Sequence, residues 1–377
     1  MSRIETLAVH AGGEPDADTG AVSPPIHLAT TFRHGPAGER AAGYEYQRES
    51  NPTQDRLETA LAALEGGEAA LAFGSGMAAM AAALESLPNG SHVLIPSDCY
   101  TGLRVLGAEF LPERGITTTA VDMGDLAAVR AALRPETRMI WAETPSNPRL
   151  CVADIAALAT IAHGHGALLA CDNTFATPVL QRPLALGADL VMHSTTKYFG
   201  GHSDVMGGAL VFARRDGFHD QVFHRRHVTG GILAPFSAWL ILRGCRSLPA
   251  RMAWHCRNAR ALAEFLATHP AVAAVFYPGL AAHPGHDVAA RQMADFGGML
   301  SLRVKGGRAA ALRVAGALKL AINATSLGGP ETLVEHRASI EGANALSPDD
   351  LLRVSVGLEA AEDLLADFAQ ALAVAGE

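Results

Sequence analysis

The sequence predicts an α/β fold: a large domain with a mostly parallel sheet, followed by a smaller C-terminal α/β domain. Short apolar runs alternate with helical patterns along the chain, and strands separated by helices form a largely parallel sheet with helices on both faces. The length also suits two such units, because 377 residues that are 49% hydrophobic can bury a large core. Ligands of such sheets bind at the carboxyl ends of the strands.

Composition narrows the functional classes. The chain carries 30 basic and 38 acidic residues, a net charge of −8, and no long basic run, which argues against a nucleic-acid partner. Its five cysteines are odd in number and lack a Cys-x-x-Cys pair, so neither a disulfide framework nor a metal site is indicated. Without a signal-peptide or membrane-span pattern, we expect a cytoplasmic protein with no membrane partner.

Three regions are predicted along the chain. Residues 1–50 are rich in glycine, proline and histidine and lack a sustained period, which is typical of an extended N-terminal arm that reaches a neighbouring subunit. A large domain is predicted over 51–232 and a smaller one over 233–377, with the boundary near Gly230-Gly231.

The large domain begins with a helix that Asn51 can cap, in which Pro52 suits the first position and Gly66-Gly67 ends the pattern. Apolar runs then predict seven strands, at 69–73, 92–95, 117–121, 139–142, 167–171, 190–193 and 209–212. Helical patterns between them include 77–85, 126–133 and 155–162.

The smaller domain follows one long helical segment, over about residues 235–268. Its predicted strands are 272–277, 299–304, 320–323 and 352–356, and a final helix is predicted over 359–374.

The strongest functional signal lies at the ends of two successive strands. Asp172 ends one apolar run, and Lys197 follows the next run 25 residues later, flanked by Ser194 and Thr196. The lysine can form a Schiff base with pyridoxal phosphate (PLP), the aspartate can keep the pyridine nitrogen protonated, and the hydroxyls can bond the phosphate. A lysine after two threonines is more often a solvated surface residue, so this prediction depends on the combination.

A glycine run between a predicted strand and helix has three interpretations. Gly74-Ser75-Gly76-Met77 can hold a phosphate with its backbone N–H groups. It also fits a dinucleotide fingerprint, with Asp98 22 residues after Gly76 as the ribose-binding acid of a nicotinamide oxidoreductase. A plain tight turn is the third interpretation. Lys197 and Asp172 favour PLP, because a nicotinamide enzyme needs neither.

Two further residues suit a PLP site. Tyr100 follows a strand end and could lie flat over a ring and pass protons, although a partly buried tyrosine bonded to backbone is the simpler interpretation of this residue alone. Arg353 lies in an apolar strand pattern, where its charge requires a carboxylate. An amino-acid substrate would supply one, and a structural salt bridge is an equal alternative.

Several motifs resemble the PLP enzymes of cysteine and methionine metabolism, which include cystathionine synthases and lyases, methionine γ-lyases and O-acetylhomoserine sulfhydrylases. The resemblance covers nearly the whole chain. The most specific motifs are Tyr44-Glu45-Tyr46-Gln47-Arg48, Ser75-Gly76-Met77, Glu143-Thr144-Pro145-Ser146-Asn147-Pro148, Asp172-Asn173-Thr174-Phe175, Ser194-Thr195-Thr196-Lys197-Tyr198, Ser326-Leu327-Gly328-Gly329 and Arg353-Val354-Ser355-Val356-Gly357.

The resemblance implies an aspartate-aminotransferase-like fold (fold type I), with PLP on Lys197, Asp172 at the pyridine nitrogen and Tyr100 stacked on the ring. The phosphate would be bound by Gly76, Met77, Ser194 and Thr196, together with Tyr46 and Arg48 of a neighbouring subunit. The substrate carboxylate would be bound by Asn147, Ser326 and Arg353. Because the arm would complete a neighbour's site, we expect a catalytic dimer, paired into a dimer of dimers.

The substrate's far end is where this chain departs from the family. Thr325 stands where the cystathionine enzymes usually have a glutamate, which weakens cystathionine as the substrate, whereas Glu45 keeps an acid where those enzymes often have one. Cysteine is absent two residues after Tyr100, which disfavours a methionine γ-lyase. Arg337 and Glu341 depart from the usual pattern, and they either read the substrate's far end or pair with each other at the surface.

We therefore predict γ-elimination or γ-replacement on a γ-substituted homoserine or homocysteine derivative, as in cystathionine γ-lyases and γ-synthases. β-Elimination from cysteine or cystathionine and an O-acylhomoserine sulfhydrylase are the alternatives. A nicotinamide oxidoreductase and a non-catalytic binding protein are disfavoured, because Lys197, Asp172, Tyr100 and Arg353 are all present. Burial near positive charge is expected to lower the pKa of Lys197 or Tyr100.

Overall fold

The computed structural model describes residues 2–342 and 345–376. Seven strands form the large sheet, in the order β1-β7-β6-β5-β4-β2-β3. Only β7 runs antiparallel to its neighbours, so the predicted mostly parallel sheet is confirmed. The strands are β1 (Ala69–Phe73), β2 (His92–Pro96), β3 (Thr117–Val121), β4 (Thr137–Glu143), β5 (Leu168–Asp172), β6 (Leu190–His193) and β7 (Gly208–Phe212).

A second sheet of five strands lies in the C-terminal part, in the order β10-β11-β12-β9-β8. Here β10 and β11 are parallel, and the other neighbours are antiparallel. The strands are β8 (Val272–Phe276), β9 (Met299–Val304), β10 (Ile322–Asn323), β11 (Leu333–His336) and β12 (Leu351–Ser355).

Helices connect and cover both sheets. In the large-sheet part they are α1 (Ile4–His10), α2 (Pro52–Glu65), α3 (Gly76–Leu84), α4 (Thr101–Val105), α5 (Leu126–Ala132), α6 (Ile155–Gly164), α7 (Thr177–Leu180) and α8 (Gly217–Thr229). Further along the chain they are α9 (Pro235–Cys245), α10 (Leu248–Thr268), α11 (His286–Gln292), α12 (Gly307–Ala317), α13 (Arg337–Glu341) and α14 (Ala361–Leu372). No helix among the described residues is long and apolar enough to cross a membrane.

The inner strands of the large sheet are buried on both faces, whereas the edge strand β3 is largely exposed or half-buried. On β7, Leu210 and Val211 are both fully buried but belong to separate apolar clusters, because successive strand residues point to opposite faces. Burial of each such side chain stabilises the fold by about 1.5–3 kcal/mol. Along these inner strands the polar residues of the site therefore lie mainly where the strands end.

The helix α2 begins and ends as its sequence predicts. The Asn51 side chain accepts a hydrogen bond from the Thr53 N–H at 2.9 Å, and Gly66 closes the helix in the left-handed conformation. Asn51 also donates to the His27 carbonyl at 2.9 Å, so the same residue ties the N-terminal segment to the large domain.

Three expectations need correction. The single long helix over 235–268 is two helices, α9 and α10, because Ser247 is not helical and Pro249 follows it in the first turn of α10, where its missing N–H is tolerated. The arm contains a short helix, α1, which packs against α2. The strand β11 was not predicted, since two of its four residues, Glu335 and His336, are polar. The domain boundary near Gly230-Gly231 stays a prediction.

Candidate active site

A cavity of about 270 Å³ lies at the carboxyl ends of β4, β5 and β6 and is closed from above by residues of the C-terminal part. Eleven of the residues predicted for the site line it: Gly76, Met77, Tyr100, Asn147, Asp172, Ser194, Thr196, Lys197, Thr325, Ser326 and Arg353. The sheet thus gathers residues that lie far apart in the sequence, as expected for a parallel sheet.

Lys197 lies in the loop after β6, and its amine donates a hydrogen bond to the Ser326 hydroxyl at 2.8 Å. Burial, and next the charge of Arg353, lower the pKa of Lys197 to about 8. The expected lowering is thus found at the lysine. An amine with this pKa is partly neutral near neutrality and can act as a nucleophile or a base.

Lys197 also differs from the other lysines of the chain. The sequence contains three lysines, at 197, 305 and 319. Lys305 and Lys319 are exposed, whereas Lys197 is mostly buried and faces the cavity. A carbonyl cofactor in this cavity would therefore meet one lysine.

Two buried carboxyl groups lie side by side below the cavity. Glu143 ends β4 and Asp172 ends β5, and the two residues are register partners in neighbouring parallel strands. Burial raises the pKa of Asp172 although the Thr174 hydrogen bonds and the charge of His193 oppose it, and burial and the Asp172 charge raise the pKa of Glu143. Two adjacent buried acids favour a cation, such as a protonated pyridine ring, between them and the cavity.

Glu143 is the first residue of the motif that ends at Pro148, and no role was predicted for it. Its two carboxylate oxygens accept hydrogen bonds from the Tyr100 N–H at 2.9 Å and the Asn147 N–H at 2.8 Å. The signal that could have identified it is its place as the last residue of a buried apolar strand, next in the sheet to the strand that Asp172 ends.

The start of α3 forms a cradle of backbone N–H groups. Ser75 caps this helix through the Ala78 N–H at 3.0 Å, and Gly76 and Met77 supply first-turn N–H groups that a helix leaves without internal partners. A Cβ on Gly76 would lie 2.9 Å from the Cβ of Ser194, so only glycine leaves this space open. The cradle has the shape and polarity that suit a phosphate.

Ser194 and Thr196 both reach the cavity, but their surroundings differ. The Ser194 N–H donates to the Thr174 hydroxyl at 2.9 Å, which fixes the backbone at the end of β6. The Thr196 hydroxyl already bonds Gly207, with its carbonyl at 3.1 Å and its N–H at 3.0 Å. The predicted phosphate role of Thr196 therefore competes with contacts inside the chain.

Tyr100 lies at the mouth of the cavity, and 44% of the residue is exposed. It stands just before α4, and a Cβ on Gly102 would lie 2.5 Å from the Tyr100 ring and from the sulfur of Met77. Gly102 thus leaves room for one edge of the Tyr100 ring beside the start of α4. The stacking role of Tyr100 and its alternative, a partly buried tyrosine bonded to backbone, both stay predictions.

Arg353 is buried in β12 and connects three residues of the substrate side. It donates to the Asn147 side-chain oxygen at 3.2 Å and to the Ser326 carbonyl at 2.8 Å, and it lies 3.2 Å from the Glu335 carboxylate. Burial lowers its pKa to about 10. Ser326 has a φ of 90°, a left-handed conformation that is costly for serine and is seen mostly where function requires it.

The far end of the cavity contains Thr325 and Arg337. Arg337 bonds Glu335 on one side and lies 3.3 Å from Glu341 on the other. Arg337 and Glu341 therefore do pair, but the expectation of a surface pair was wrong, because both side chains are at most 5% exposed. Glu335 contacts the guanidinium groups of both Arg337 and Arg353 and so joins the two arginines. No role was predicted for Glu335 from the sequence.

Three predicted residues of the arm lie outside this cavity. The Glu45 carboxylate pairs with Arg40 at 2.5 Å, and Tyr46 is 45% exposed. Arg48 donates to the His227 carbonyl at 2.9 Å. Their predicted roles belong to a neighbouring subunit's site, and within one chain they remain predictions.

The structure disfavours the dinucleotide interpretation, because Asp98, its proposed ribose-binding acid, is bonded to other residues. Asp98 accepts hydrogen bonds from the Arg149 backbone and side chain at 3.1 and 2.9 Å and from the Ser146 hydroxyl. It therefore holds the turn that carries Asn147 and lies away from the glycine run. The cavity offers a lysine, paired acids and a phosphate cradle, and this combination is that of a PLP-dependent enzyme, in agreement with the fold that the resemblance implies.

Comparison with known proteins agrees. The family described as Cys/Met metabolism PLP-dependent enzyme matches residues 5–373. The cystathionine gamma-synthase of Mycobacterium tuberculosis is 49% identical over 378 residues, which span 99% of this chain and 97% of that protein. The cystathionine gamma-lyase of Bacillus subtilis is 44% identical and is covered to 98% on both sides. The solved structure of metB from Corynebacterium glutamicum has a TM-score of 0.97 at 44% identity, with 99% and 98% of the two chains covered.

The chain therefore belongs to the PLP-dependent enzymes of cysteine and methionine metabolism. It is a PLP-dependent enzyme of the trans-sulfuration type, and its cofactor is PLP.

Proposed function

We propose that this enzyme catalyses γ-replacement on a γ-substituted homoserine, with a thiol amino acid as the acceptor, as a cystathionine γ-synthase does. The observation that carries the proposal is the buried Lys197 amine in a cavity that also contains Asp172 and Arg353. The choice of replacement is supported by the full-length likeness, at 49% identity, to the synthase of Mycobacterium tuberculosis.

Each residue of the cavity has a part in this proposal. PLP, when bound, supplies an electron sink for charge that develops at the substrate Cα. Asp172 would hold the pyridine nitrogen, Gly76, Met77 and Ser194 the phosphate, and Tyr100 the face of the ring.

The substrate carboxylate would meet Arg353 and Asn147, which already contact each other at 3.2 Å. Arginine binds a carboxylate in two parallel hydrogen bonds, and this fixes the orientation of the amino acid as well as its position. Ser326 brings its carbonyl to Arg353 and its hydroxyl to Lys197. The substrate Cα would thus be kept near the lysine amine.

Proton transfer is assigned to Lys197 and Tyr100. The lysine amine takes the proton from Cα, and a second proton leaves Cβ. The γ-substituent then departs with a proton from Tyr100 or Lys197. For replacement, a thiol gives up its proton and adds at Cγ, and protons then return to Cβ and Cα. Without a thiol, a proton adds at Cγ, and hydrolysis by water ends the reaction as a 2-oxo acid and ammonia.

We also propose that the working unit is a dimer in which the arm completes the neighbour's site, and that dimers pair into a tetramer. The proposal is supported by large side chains that stay exposed in the single chain and that a neighbouring subunit could cover. Beside the cavity, Tyr100 is 44% and Met206 62% exposed, and Tyr46 of the arm is 45% exposed. Mixing Lys197→Ala and Arg48→Ala chains tests this proposal. If the sites are shared, a mixed dimer contains one site with both Lys197 and Arg48, and activity should return. If no activity returns on mixing, the sites are not shared between subunits.

γ-Elimination is the second candidate, favoured by the 44% identity to the Bacillus subtilis γ-lyase. One assay separates the two: the purified enzyme is given O-acylhomoserine with and without cysteine, and separately cystathionine. Replacement predicts a new amino acid only when cysteine is present. Release of 2-oxo acid from cystathionine at a comparable rate would make the enzyme a lyase instead.

A further inference from the structure

The side chain of Glu143 contacts both the cofactor side and the substrate side of the site. Its Oε2 accepts the Tyr100 N–H at 2.9 Å, and its Oε1 accepts the Asn147 N–H at 2.8 Å. Tyr100 lies after β2 and Asn147 after β4, which are neighbours in the sheet. A single carboxylate therefore sets the spacing between the ring that would cover the cofactor and the amide that would meet the substrate.

Packing alone does not hold these two residues in place. Tyr100 is 44% exposed, and no side-chain cap fixes the start of α4. Asn147 is buried, and its side-chain oxygen accepts a hydrogen bond from Arg353, so a shift of its backbone would also move the partner of that arginine. Buried backbone N–H groups require acceptors, and Glu143 supplies both.

The charge of Glu143 matters as well, because its register partner is Asp172. The charged groups that act on this pair are Asp98, which disfavours ionisation of Glu143, and His193, which favours ionisation of Asp172. Cys99 and Cys171 also adjoin the acids, and burial keeps both thiols neutral by raising their pKa. The imidazole of His193 is itself paired with the buried Glu65, whose carboxylate lies 2.6 Å from its Nε2.

We propose that Glu143 is a positioning residue that sets the Tyr100 ring and the Asn147 amide, and that Glu143 and Asp172 share one proton until a cationic ring nitrogen replaces it. On cofactor binding the carboxyl O–H bond breaks and the ring N–H bond forms, so the total charge of the site is conserved. This inference rests on the proposed place of the cofactor, but its proton-sharing part concerns the protein without cofactor.

The test is the stability of the cofactor-free protein against pH, measured by denaturant unfolding from pH 6 to 8.5. Acids whose pKa is raised in the folded state lose protons on unfolding, so the free energy of unfolding falls as the pH rises. In Glu143→Gln the second carboxylate that holds the shared proton is gone, so Asp172 should ionise more readily and the pH slope should become shallower. PLP should also bind roughly tenfold or more weakly, because glutamine accepts one of the two N–H groups.

Asp367→Asn is the matched control. Asp367 is another carboxylate that accepts backbone N–H groups, those of Lys319, Leu320 and Ala321, and its pKa is lowered, so it titrates below this range. The control should lose stability equally at every pH and bind PLP normally. The same uniform loss in Glu143→Gln would overturn the shared proton, and unchanged PLP affinity would overturn the positioning role.

The wild type provides a measurement that needs no variant. Unfolding of the cofactor-free wild type between pH 6 and 8.5 should release one proton from the pair, because the folded pair holds one proton and the separated acids of the unfolded chain hold none. A free energy of unfolding that does not fall as the pH rises would contradict the shared proton even if Glu143→Gln failed to fold. Neither readout uses turnover, so a failed γ-replacement assay leaves both results interpretable.

Discussion

The two walls of the cavity are built differently. The cofactor wall, formed by Gly76, Asp172, Ser194 and Lys197, stands on strand ends and one helix start of the large sheet. The substrate wall is formed by Thr325, Ser326, Arg337 and Arg353. It combines one strand residue, one short-helix residue and two loop residues, joined through the buried Glu335. The chemistry therefore depends on sheet geometry, and the choice of substrate depends on a charge network that can change without disturbing the sheet.

The largest effect is expected on the cofactor wall. Lys197→Ala should lower turnover by about 10³-fold or more, because it removes both the attachment point of the cofactor and the proposed base. Steady-state assay together with the absorbance spectrum of the purified variant measures this. Turnover that survives in Lys197→Ala would refute the assignment of the lysine.

Tyr100 lies at the edge of both walls, so its variant sharpens the comparison. Tyr100→Phe keeps the ring but removes the hydroxyl, and we expect kcat to fall about 10²-fold, in the range of general acid–base catalysis. The affinity for PLP should change little, since stacking remains. If turnover is intact, the proton-transfer role belongs to Lys197 alone.

Substitutions in the substrate wall should change the choice between substrates more than the rate of the chemical step. Arg337 is a cation at the far end of the cavity, so Arg337→Ala should lower kcat/KM about tenfold for a γ-substituent that ends in a carboxylate, relative to an O-acetyl substituent. Arg303→Ala is the control, because that arginine pairs with Asp350 at the surface. Equal losses on both substrates would assign Arg337 a structural role only.

The smallest effect concerns pH. The neutral lysine amine reacts with the cofactor, and the pKa of Lys197 is lowered to about 8, so cofactor uptake should rise with pH and level off above that value. Between pH 8 and pH 7 the rate should fall about fivefold, following the neutral fraction. Stopped-flow absorbance measures it. A midpoint near the ordinary value of a lysine would show that burial and Arg353 do not lower this pKa.

The cofactor wall could be predicted almost completely from sequence, and the substrate wall only in part. Asp172 and Lys197 end successive apolar runs, and sheet geometry brings such ends together. Glu143 was missed because one acid after a strand also suits a solvated turn. Glu335 and the burial of Arg337 were missed because a charged side chain in a short strand finds its partners only in three dimensions. The break between α9 and α10 shows the same limit, since Pro249 fits the first turn of a new helix as well as a kink.

The central claim is that Lys197 carries the cofactor, and it is tested most directly by trapping the bond between PLP and its lysine. Borohydride reduction of the PLP-loaded enzyme, followed by peptide mass mapping, identifies the lysine that carries pyridoxal. With three lysines in the chain, the account predicts the modification at Lys197 and unmodified peptides at Lys305 and Lys319. Label at either of those two surface lysines, or none at Lys197, would contradict it.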